Sequence, residues 1–258
     1  MTGNKVIRVI PTPRDLHLLR ELAEVKVLDR EQVQLVTGIR GINRANDRLG
    51  QLHKAGLVRR HFQGTPAGGR KAIYSLAHRG AALVEVDKLW RLQHAEDELL
   101  IGDSFTAHQM ALNWIWASAK YRLPYGMKFL CWRNFQEPIS AALPLVPDGY
   151  FEIRFGGEEI AHFVEADLGT ESQRVWERKV QLYVKLATSG EFSRIFKRGR
   201  FRVLISAPSD RRLTNICATV RKHTNKIFFL LDQKTIHRDG IYAPLWLRPE
   251  GDVRQSLT

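Results

Sequence analysis

The sequence predicts an α/β (α+β) protein in which a small helical module precedes a mixed β-sheet flanked by helices. The first third of the chain shows three amphipathic helical patterns and then a hairpin pattern, whereas later residues alternate short apolar runs with helical stripes. A chain of 258 residues, 44% of them hydrophobic, has enough material for two cores. We therefore expect one domain over residues 1–85, a helical linker over residues 86–103 and a second domain over residues 104–258.

The charge balance points to a polyanionic partner. Lysine and arginine number 40 against 27 aspartate and glutamate, which gives a formal net charge of +13. A surface of that sign attracts phosphate backbones, so double-stranded DNA is the expected partner. A membrane is not expected, because no apolar run approaches the ~20 residues of a spanning helix and the amino terminus lacks an apolar signal core. Cys131 and Cys217 are the only cysteines, so a disulfide framework is not indicated and we expect a reducing cytoplasm.

Capping patterns predict the first two helices. Thr12 is expected to cap a helix that begins at Pro13. Asp29 and Gln32 have the spacing of a capping box at the start of a second helix, Arg30–Val36. The inward stripe of the first helix should consist of Leu16, Leu19, Leu22 and Ala23.

A third helix, which Gly56 should end, is the predicted reader of DNA. Its buried face should contain Ile39, Ile42, Ala45, Leu49 and Leu52. Side chains on the opposite face and beside it can hydrogen-bond to base edges or to phosphates. These predicted contacts are Arg40, Asn43, Arg44, Arg48, Gln51 and Lys54.

A hairpin pattern follows the third helix. Its arms are Leu57–Phe62 and Ala72–Leu76, and the loop between them is rich in glycine and basic residues. Three helices followed by a two-stranded ribbon are typical of a winged helix-turn-helix, whose ribbon meets flanking phosphates. The phosphate contacts predicted here are Arg59, Arg60, Arg70 and Lys71. The alternative is a small helical domain whose charges are solvated, or one that dimerises.

The second domain should contain a mixed sheet. Strands feed helices that feed further strands, which places helices on the sheet faces. The predicted strands are Lys128–Trp132, Tyr150–Phe155, Ile160–Asp167, Phe201–Ser206 and Lys226–Leu231, and the predicted helices are Ser104–Tyr121, Ser172–Thr188 and Asp210–Lys222.

Three carboxylates in this domain predict a metal site. Asp148 precedes one strand, while Glu165 and Asp167 end the next and project from the same face because strand side chains alternate. If the two strands pair through the Gly156-Gly157 turn, Asp148 can reach the other two. Carboxylates that converge repel one another unless a cation neutralises them, and oxygen ligands suit Mg²⁺ or Mn²⁺.

The helix that follows supplies a lysine on an apolar face. Lys179 shares that face with Trp176, Val180, Tyr183 and Ala187. A lysine facing a core is costly unless it is paired, and the acidic strand end offers the nearest partners. We expect Lys179 to stabilise the charge of a reacting phosphate or orient a water, with Tyr183 packing or hydrogen-bonding beside it. The alternative is a lysine whose ammonium extends to solvent at the helix flank.

Together these residues resemble the PD-(D/E)XK nuclease core shared by restriction endonucleases. Asp148, then Glu165-x-Asp167, then Lys179-x-x-x-Tyr183 carry the resemblance. The position two after the acidic residue is usually lysine in that core, and here it is Asp167. Some members carry the lysine on the following helix, where Lys179 stands. The resemblance implies a restriction-endonuclease-like sheet and catalytic roles for all five residues.

A narrower resemblance covers most of the chain, from Pro13 to Leu247. A helix-rich module with a hairpin precedes Pro-Asp-Gly-Tyr-Phe at residues 147–151, Phe-Val-Glu-Ala-Asp-Leu-Gly-Thr-Glu at residues 163–171 and Lys-x-x-x-Tyr at residues 179–183. This order is similar to the replication-relaxation family and to plasmid relaxases of the MOBC class. The resemblance implies a DNA-processing protein of a mobile element whose acidic triad binds Mg²⁺ or Mn²⁺.

Two functional hypotheses follow from the sequence. In the first, the protein is a metal-dependent endonuclease, relaxase-like, that nicks DNA at a transfer or replication origin. In the second, the nuclease core is inactive and the protein is a DNA-binding accessory protein or a transcriptional regulator. Its second domain would then form a homodimer or recruit another DNA-processing protein.

Overall fold

Two units make up the chain, residues 1–113 and residues 114–258. The computed structural model describes residues 9–64, 68–86 and 103–257. Nearly all of the predicted linker, residues 86–103, lies outside the described residues. The division between the units falls further along the chain than the sequence suggested, because the start of a long helix belongs with the first unit.

The first unit contains the three predicted helices and the predicted hairpin. Its strands form an antiparallel sheet in the order β1-β3-β2. Strand β1 was not predicted, since three residues are too few to show an alternating pattern. The elements are α1 (Pro13–Val25), β1 (Val27–Asp29), α2 (Arg30–Thr37), α3 (Ile42–Lys54), β2 (Val58–Gly64), β3 (Arg70–Leu76), α4 (His78–Leu83) and the first part of α5 (Asp103–Tyr121).

Both predicted helix caps are present. The Thr12 side chain accepts a hydrogen bond from the backbone N–H of Asp15, whose carboxylate accepts one from the backbone N–H of Thr12 in return. Asp29 and Gln32 make the same reciprocal pair at the start of α2. Each box satisfies two backbone donors that have no partner within the helix.

Buried amides join the start of α5 to the first unit. The side-chain amide of Gln32 donates to the Met110 carbonyl at 3.3 Å. The amide nitrogen of Asn113 donates to the carbonyls of Val25 and Val27. Because these groups are buried, each bond removes a costly unsatisfied carbonyl, and residues near Asn113 therefore fold with the first unit.

The predicted buried face of α3 is partly wrong. Ala45, Leu49 and Leu52 are buried as expected. Ile42, however, is 53% exposed and Ile39 precedes the helix. The helix begins at Ile42 after the N-cap Gly41, so its first turn projects beyond the core.

The second unit is built on a seven-stranded mixed sheet with helices, which confirms the predicted α/β architecture. The strand order is β10-β9-β8-β7-β6-β5-β4, with β6, β7 and β8 parallel and the remaining pairs antiparallel. The strands are β4 (Lys128–Arg133), β5 (Gly149–Phe155), β6 (Glu158–Ala166), β7 (Phe201–Ala207), β8 (Phe228–Asp232), β9 (Trp246–Arg248) and β10 (Gly251–Gln255). The helices are α6 (Gln173–Thr188), α7 (Glu191–Phe196), α8 (Asp210–Arg221) and α9 (Gln233–Asp239).

The predicted hairpin of β5 and β6 brings Asp148 beside the end of β6. The strands pair from Phe155 opposite Glu158 to Gly149 opposite Val164. The turn uses Gly156 and Gly157, both with positive φ, a conformation that glycine adopts without strain. The prediction did not include α7, α9, β9 and β10, which are short or lack a regular apolar pattern.

One face of β6 packs against α6 in an aromatic core. Phe163 contacts the rings of Tyr150, Tyr183, Phe196 and Phe201 with centroids 5.0–5.6 Å apart. Such rings bury large apolar areas in defined edge and tilted geometries. This packing fixes α6 over the end of β6, where the acidic residues lie.

Gly80 in α4 packs closely against the backbone of Leu57, and a substitution at Gly80 tests this packing. A Cβ added at Gly80 would lie 2.1 Å from the Leu57 carbonyl oxygen, so Gly80→Ala should destabilise the protein by about 1–3 kcal/mol. Urea unfolding gives the measurement. Gly50→Ala is the matched control, because nothing lies within 4 Å of its added Cβ in α3, and it should stabilise by about 0.5–1 kcal/mol. Shifts of the same sign in both variants would contradict this packing.

Candidate functional site

Three acidic residues, Asp148, Glu165 and Asp167, lie at the carboxyl end of β6. The Asp148 carboxylate, just before β5, accepts a hydrogen bond from the backbone N–H of Ala166 at 2.7 Å. Glu165 lies in β6 and Asp167 follows it. Both side chains contact residues of α6, so they project from the same face as predicted.

Glu165 is the buried centre of this site. Its Oε1 accepts a hydrogen bond from the Tyr183 hydroxyl at 2.6 Å, and its Oε2 accepts one from Lys179 Nζ at 2.8 Å. Burial, and then the nearby charge of Asp148, raise the pKa of Glu165 to about 7, although Lys179 and Tyr183 oppose that shift. The carboxylate therefore changes its charge near neutral pH.

Lys179 is held between two carboxylates. Its ammonium also donates to Glu171 Oε1 at 2.8 Å, and it lies 5.2 Å from the centre of the Trp176 ring. Burial alone would lower the pKa of Lys179, but the charges of Glu165 and Asp148 raise it above its ordinary value. The lysine thus remains charged, and its side chain is 21% exposed. Because Lys179 is paired with Glu165 and Glu171, the alternative of a lysine whose ammonium only extends to solvent does not hold.

Asp167 is held by Arg212, at the start of α8, and this corrects the predicted three-carboxylate cluster. Arg212 donates from Nε to Oδ2 and from an Nη to Oδ1 of Asp167, each at 2.7 Å, and the Trp176 indole donates to Oδ1 at 3.2 Å. Burial would raise the pKa of Asp167, but these bonds and the Arg212 charge lower it. Throughout residues 9–64, 68–86 and 103–257, no group of three His, Cys, Asp or Glu side chains could hold a metal ion.

Arg212 was missed from the sequence because its distance along the chain from Asp167 hides the pairing. The order of the strands could have predicted this pairing. Because β6 and β7 are parallel, the residues that follow the two strands lie at the same edge of the sheet. Arg212 follows β7 by five residues, and Asp167 directly follows β6. A cation at that place is a natural partner for a buried carboxylate.

The remaining pair, Asp148 and Glu165, fits a hydrated divalent ion better than a closed metal cage. Mg²⁺ commonly binds through one or two carboxylates and completes its shell with waters and substrate phosphates. Each oxygen of Glu165 accepts one hydrogen bond, and a carboxylate oxygen has two lone pairs. After burial, the charge of Asp148 is the next cause of the raised pKa of Glu165.

A polar groove lies beside α3 in the first unit. Of the predicted DNA contacts, five on or beside α3 are exposed: Arg40, Asn43, Arg44, Gln51 and Lys54. On the hairpin, Arg60 and Arg70 are exposed and Arg59 is half-buried. The groove is lined by Thr12, Arg14, Asp15, Gly38, Ile39, Arg40, Gly41, Arg44, Asp47, Arg48 and Gln51.

Several of the predicted DNA contacts, Arg48, Gln51 and Lys71 among them, are engaged within the protein. Arg48 pairs with the buried Asp15 through Nε at 2.9 Å and through an Nη, and its other Nη donates to Gln51 at 2.8 Å. Lys71 Nζ lies 2.6 Å from the Asp29 carboxylate. Arg48 therefore joins α1 to α3, and the exposed Arg44 is the better placed arginine for a ligand.

The family model for replication-relaxation matches residues 19–201, more than half of the chain. This chain belongs to the replication-relaxation family. Membership confirms the replication-relaxation part of the resemblance drawn from the sequence and indicates a role in DNA processing, whereas the likeness to MOBC relaxases stays a prediction.

No curated protein matches the chain. Among solved structures, restriction endonuclease FokI matches with a TM-score of 0.36 and 13% identity, over 88% of this chain and 43% of FokI. This chain thus spans less than half of FokI. In the part of the chain that the structure describes, no helix has the length and apolar character needed to cross a membrane.

The raised pKa of Glu165 predicts how stability depends on pH. Its ordinary value is 4.5 and its value in the folded protein is about 7, so between these pH values the folded state holds a proton that the unfolded chain releases. The free energy of unfolding should therefore fall as pH rises through this window, by up to ~1.4 kcal/mol per pH unit. Glu165→Gln lacks the titrating group and should lose this contribution.

Urea unfolding of both proteins at intervals from pH 4.5 to just above pH 7 checks the prediction. The quantity to follow is the difference in unfolding free energy between Glu165→Gln and wild type, which cancels the titration of other groups. That difference should grow in favour of the glutamine variant as pH rises. A constant difference across the window would show that Glu165 titrates normally.

Proposed function

We propose that this protein binds double-stranded DNA through its first unit and nicks DNA at a metal-dependent centre in its second unit. The target would be a transfer or replication origin of a mobile element. The observation that carries the proposal is the environment of Glu165, a buried carboxylate of raised pKa with Asp148, Lys179 and Tyr183 around it. Perturbed groups that combine burial with specific charge partners are typical of catalytic sites.

The first unit would act as a winged helix-turn-helix. Its elements run helix, strand, helix, helix and then two strands, with the sheet in the order β1-β3-β2. In this arrangement α3 would enter the major groove, and the exposed Asn43 and Arg44 near its amino-terminal end would face base edges. The net charge of +13 supports attraction to the phosphate backbone.

In the second unit, Asp148 and Glu165 would hold Mg²⁺ or Mn²⁺, within a core that we propose to be PD-(D/E)XK-like. A divalent ion, when bound, activates a water nucleophile and neutralises charge on the scissile phosphate. Lys179 would favour the ionised form of Glu165 and place a positive charge beside the reacting phosphate. Tyr183 would orient the Glu165 carboxylate through its hydroxyl. Arg212 would fix Asp167, which we assign to positioning rather than to metal binding.

A second candidate function is a DNA-binding accessory protein or transcriptional regulator without nuclease activity. The observation that favours it is the pairing of both buried carboxylates with cations of the chain itself, Glu165 with Lys179 and Asp167 with Arg212. A site neutralised in this way does not require a metal ion for stability. A homodimer or another DNA-processing protein would then be the partner of the second unit.

Arg44 and Arg48 should respond differently to replacement by alanine. Arg44→Ala should weaken binding to a duplex selected from a random library by about 1–3 kcal/mol, without changing the melting temperature. Arg48→Ala should lower the melting temperature, because it leaves the buried Asp15 carboxylate without its partner. Fluorescence anisotropy and calorimetric melting provide the two measurements. Equal losses on selected and unselected DNA for Arg44→Ala would mean that α3 does not read the sequence.

Glu165→Gln should abolish nicking and metal binding while leaving DNA affinity unchanged, because it removes a negative charge from the proposed ion site. Nicking of supercoiled plasmid is measured with Mg²⁺, Mn²⁺ or EDTA, and Mn²⁺ binding by titration calorimetry. Lys179→Ala should still bind Mn²⁺ but cleave more slowly, since its proposed role is in the transition state.

Asp167→Asn is the matched control for the assignment of ligands. It should retain the heat of Mn²⁺ binding and lower the melting temperature, because Arg212 loses its charged partner. Loss of Mn²⁺ binding in this variant would restore Asp167 as a ligand. No heat of Mn²⁺ binding in the wild type, together with nicking that is absent in every metal, would favour the accessory function.

A further inference from the structure

An exposed aromatic ring on the β2–β3 hairpin lies between two arginines. Phe62 in β2 is 48% exposed. The guanidinium carbon of Arg60 lies 5.4 Å from the centre of its ring, and that of Arg70 lies 5.2 Å from it. Both distances are within the range of cation–π contacts. The three side chains therefore form one cluster with two positive charges around an apolar surface.

Strand register explains why these side chains share a face. Phe62 pairs with Ala72, Arg60 with Tyr74, and Arg70 with Gly64. Residues two apart in a strand point the same way, so Arg60 and Phe62 of β2 lie with Arg70 of β3. Gly64, opposite Arg70, has no side chain to crowd it.

The charges of the cluster are available to a ligand. Within the described ranges, neither Arg60 nor Arg70 forms a salt bridge, in contrast to Lys71, which pairs with Asp29. The two guanidinium groups are at most about 11 Å apart, since each lies within 5.4 Å of the same ring centre. Like charges held this close favour a ligand that supplies two anions with an apolar group between them.

The sugar–phosphate backbone of DNA has that pattern, because each deoxyribose separates two phosphates. Phe62 lies on the face of the ribbon, two residues before the end of β2 at Gly64. The exposed ring on this face can therefore contact a backbone strand that passes across the ribbon.

We propose that Arg60, Phe62 and Arg70 form a clamp for the backbone of duplex DNA. Each arginine binds a phosphate, and the Phe62 ring packs against the deoxyribose between the two phosphates. This inference rests on the proposed DNA binding by the first unit. It adds an apolar, sequence-independent contact that the predicted phosphate contacts did not include.

The test is binding of the full chain to a fluorescein-labelled duplex of mixed sequence over a range of NaCl concentrations. Phe62→Ala should weaken binding on the order of fivefold at every salt concentration, because it removes apolar contact and no charge. Arg60→Gln and Arg70→Gln should each reduce the slope of log affinity against log salt by about 0.9. Phe62→Leu should recover most of the affinity, which separates lost contact from faulty folding.

Phe155→Ala is the matched control, because Phe155 is a similarly exposed phenylalanine at a strand end, 39% exposed, in the second unit. It should bind like the wild type. Unchanged binding by Phe62→Ala, while Arg44→Ala still weakens it, would overturn the clamp and leave the proposed function standing. Quenching of 2-aminopurine in the duplex that depends on Phe62 would also overturn it, since the ring would then stack on a base. Absence of DNA binding by the wild type would overturn both proposals.

Discussion

The burial of two carboxylates at the end of β6 is the constraint on which the second unit depends. Glu165 and Asp167 have fully buried side chains. A buried charge is strongly destabilising unless a partner and hydrogen bonds compensate it. The partners come from different helices, Lys179 and Tyr183 from α6 and Arg212 from α8. The same contacts that satisfy the carboxylates thus hold two helices against one strand end.

The residues that stabilise the buried Glu165 are also those that we propose to act in catalysis. Lys179 neutralises Glu165 in the protein alone, and in the proposed reaction it would place its positive charge beside the phosphate. With a pKa of about 7, Glu165 gains and loses its proton near neutral pH, and in the proposed site proton binding would compete there with metal binding. The Arg212–Asp167 pair has no comparable freedom, because both oxygens of Asp167 accept bonds from the guanidinium. One carboxylate is therefore suited to change partners and the other to stay in place.

The first unit uses a carboxylate in a related way. Asp15 caps α1 through Thr12 and binds Arg48 of α3, so a single buried group fixes the angle between two helices. Arg48 cannot then serve freely as a reader of bases. Exposed residues such as Arg44 on α3, and Arg60 and Arg70 on the hairpin, remain for contacts outside the protein. The positive charge of the chain is thus divided between internal support and an outer surface.

The sequence alone determined the elements whose causes are local. The helix caps at Thr12 and Asp29, the Gly156-Gly157 turn and the shared face of Glu165 and Asp167 follow from neighbouring residues. The family resemblance also rested on short motifs and their order. Only the tertiary structure decided which partners those side chains take. Asp167 pairs with Arg212, Arg48 with Asp15, and Ile42 lies outside the core. These outcomes depend on which strands lie side by side and on where a helix begins, and residues far apart in the chain carry no periodic signal of such contacts.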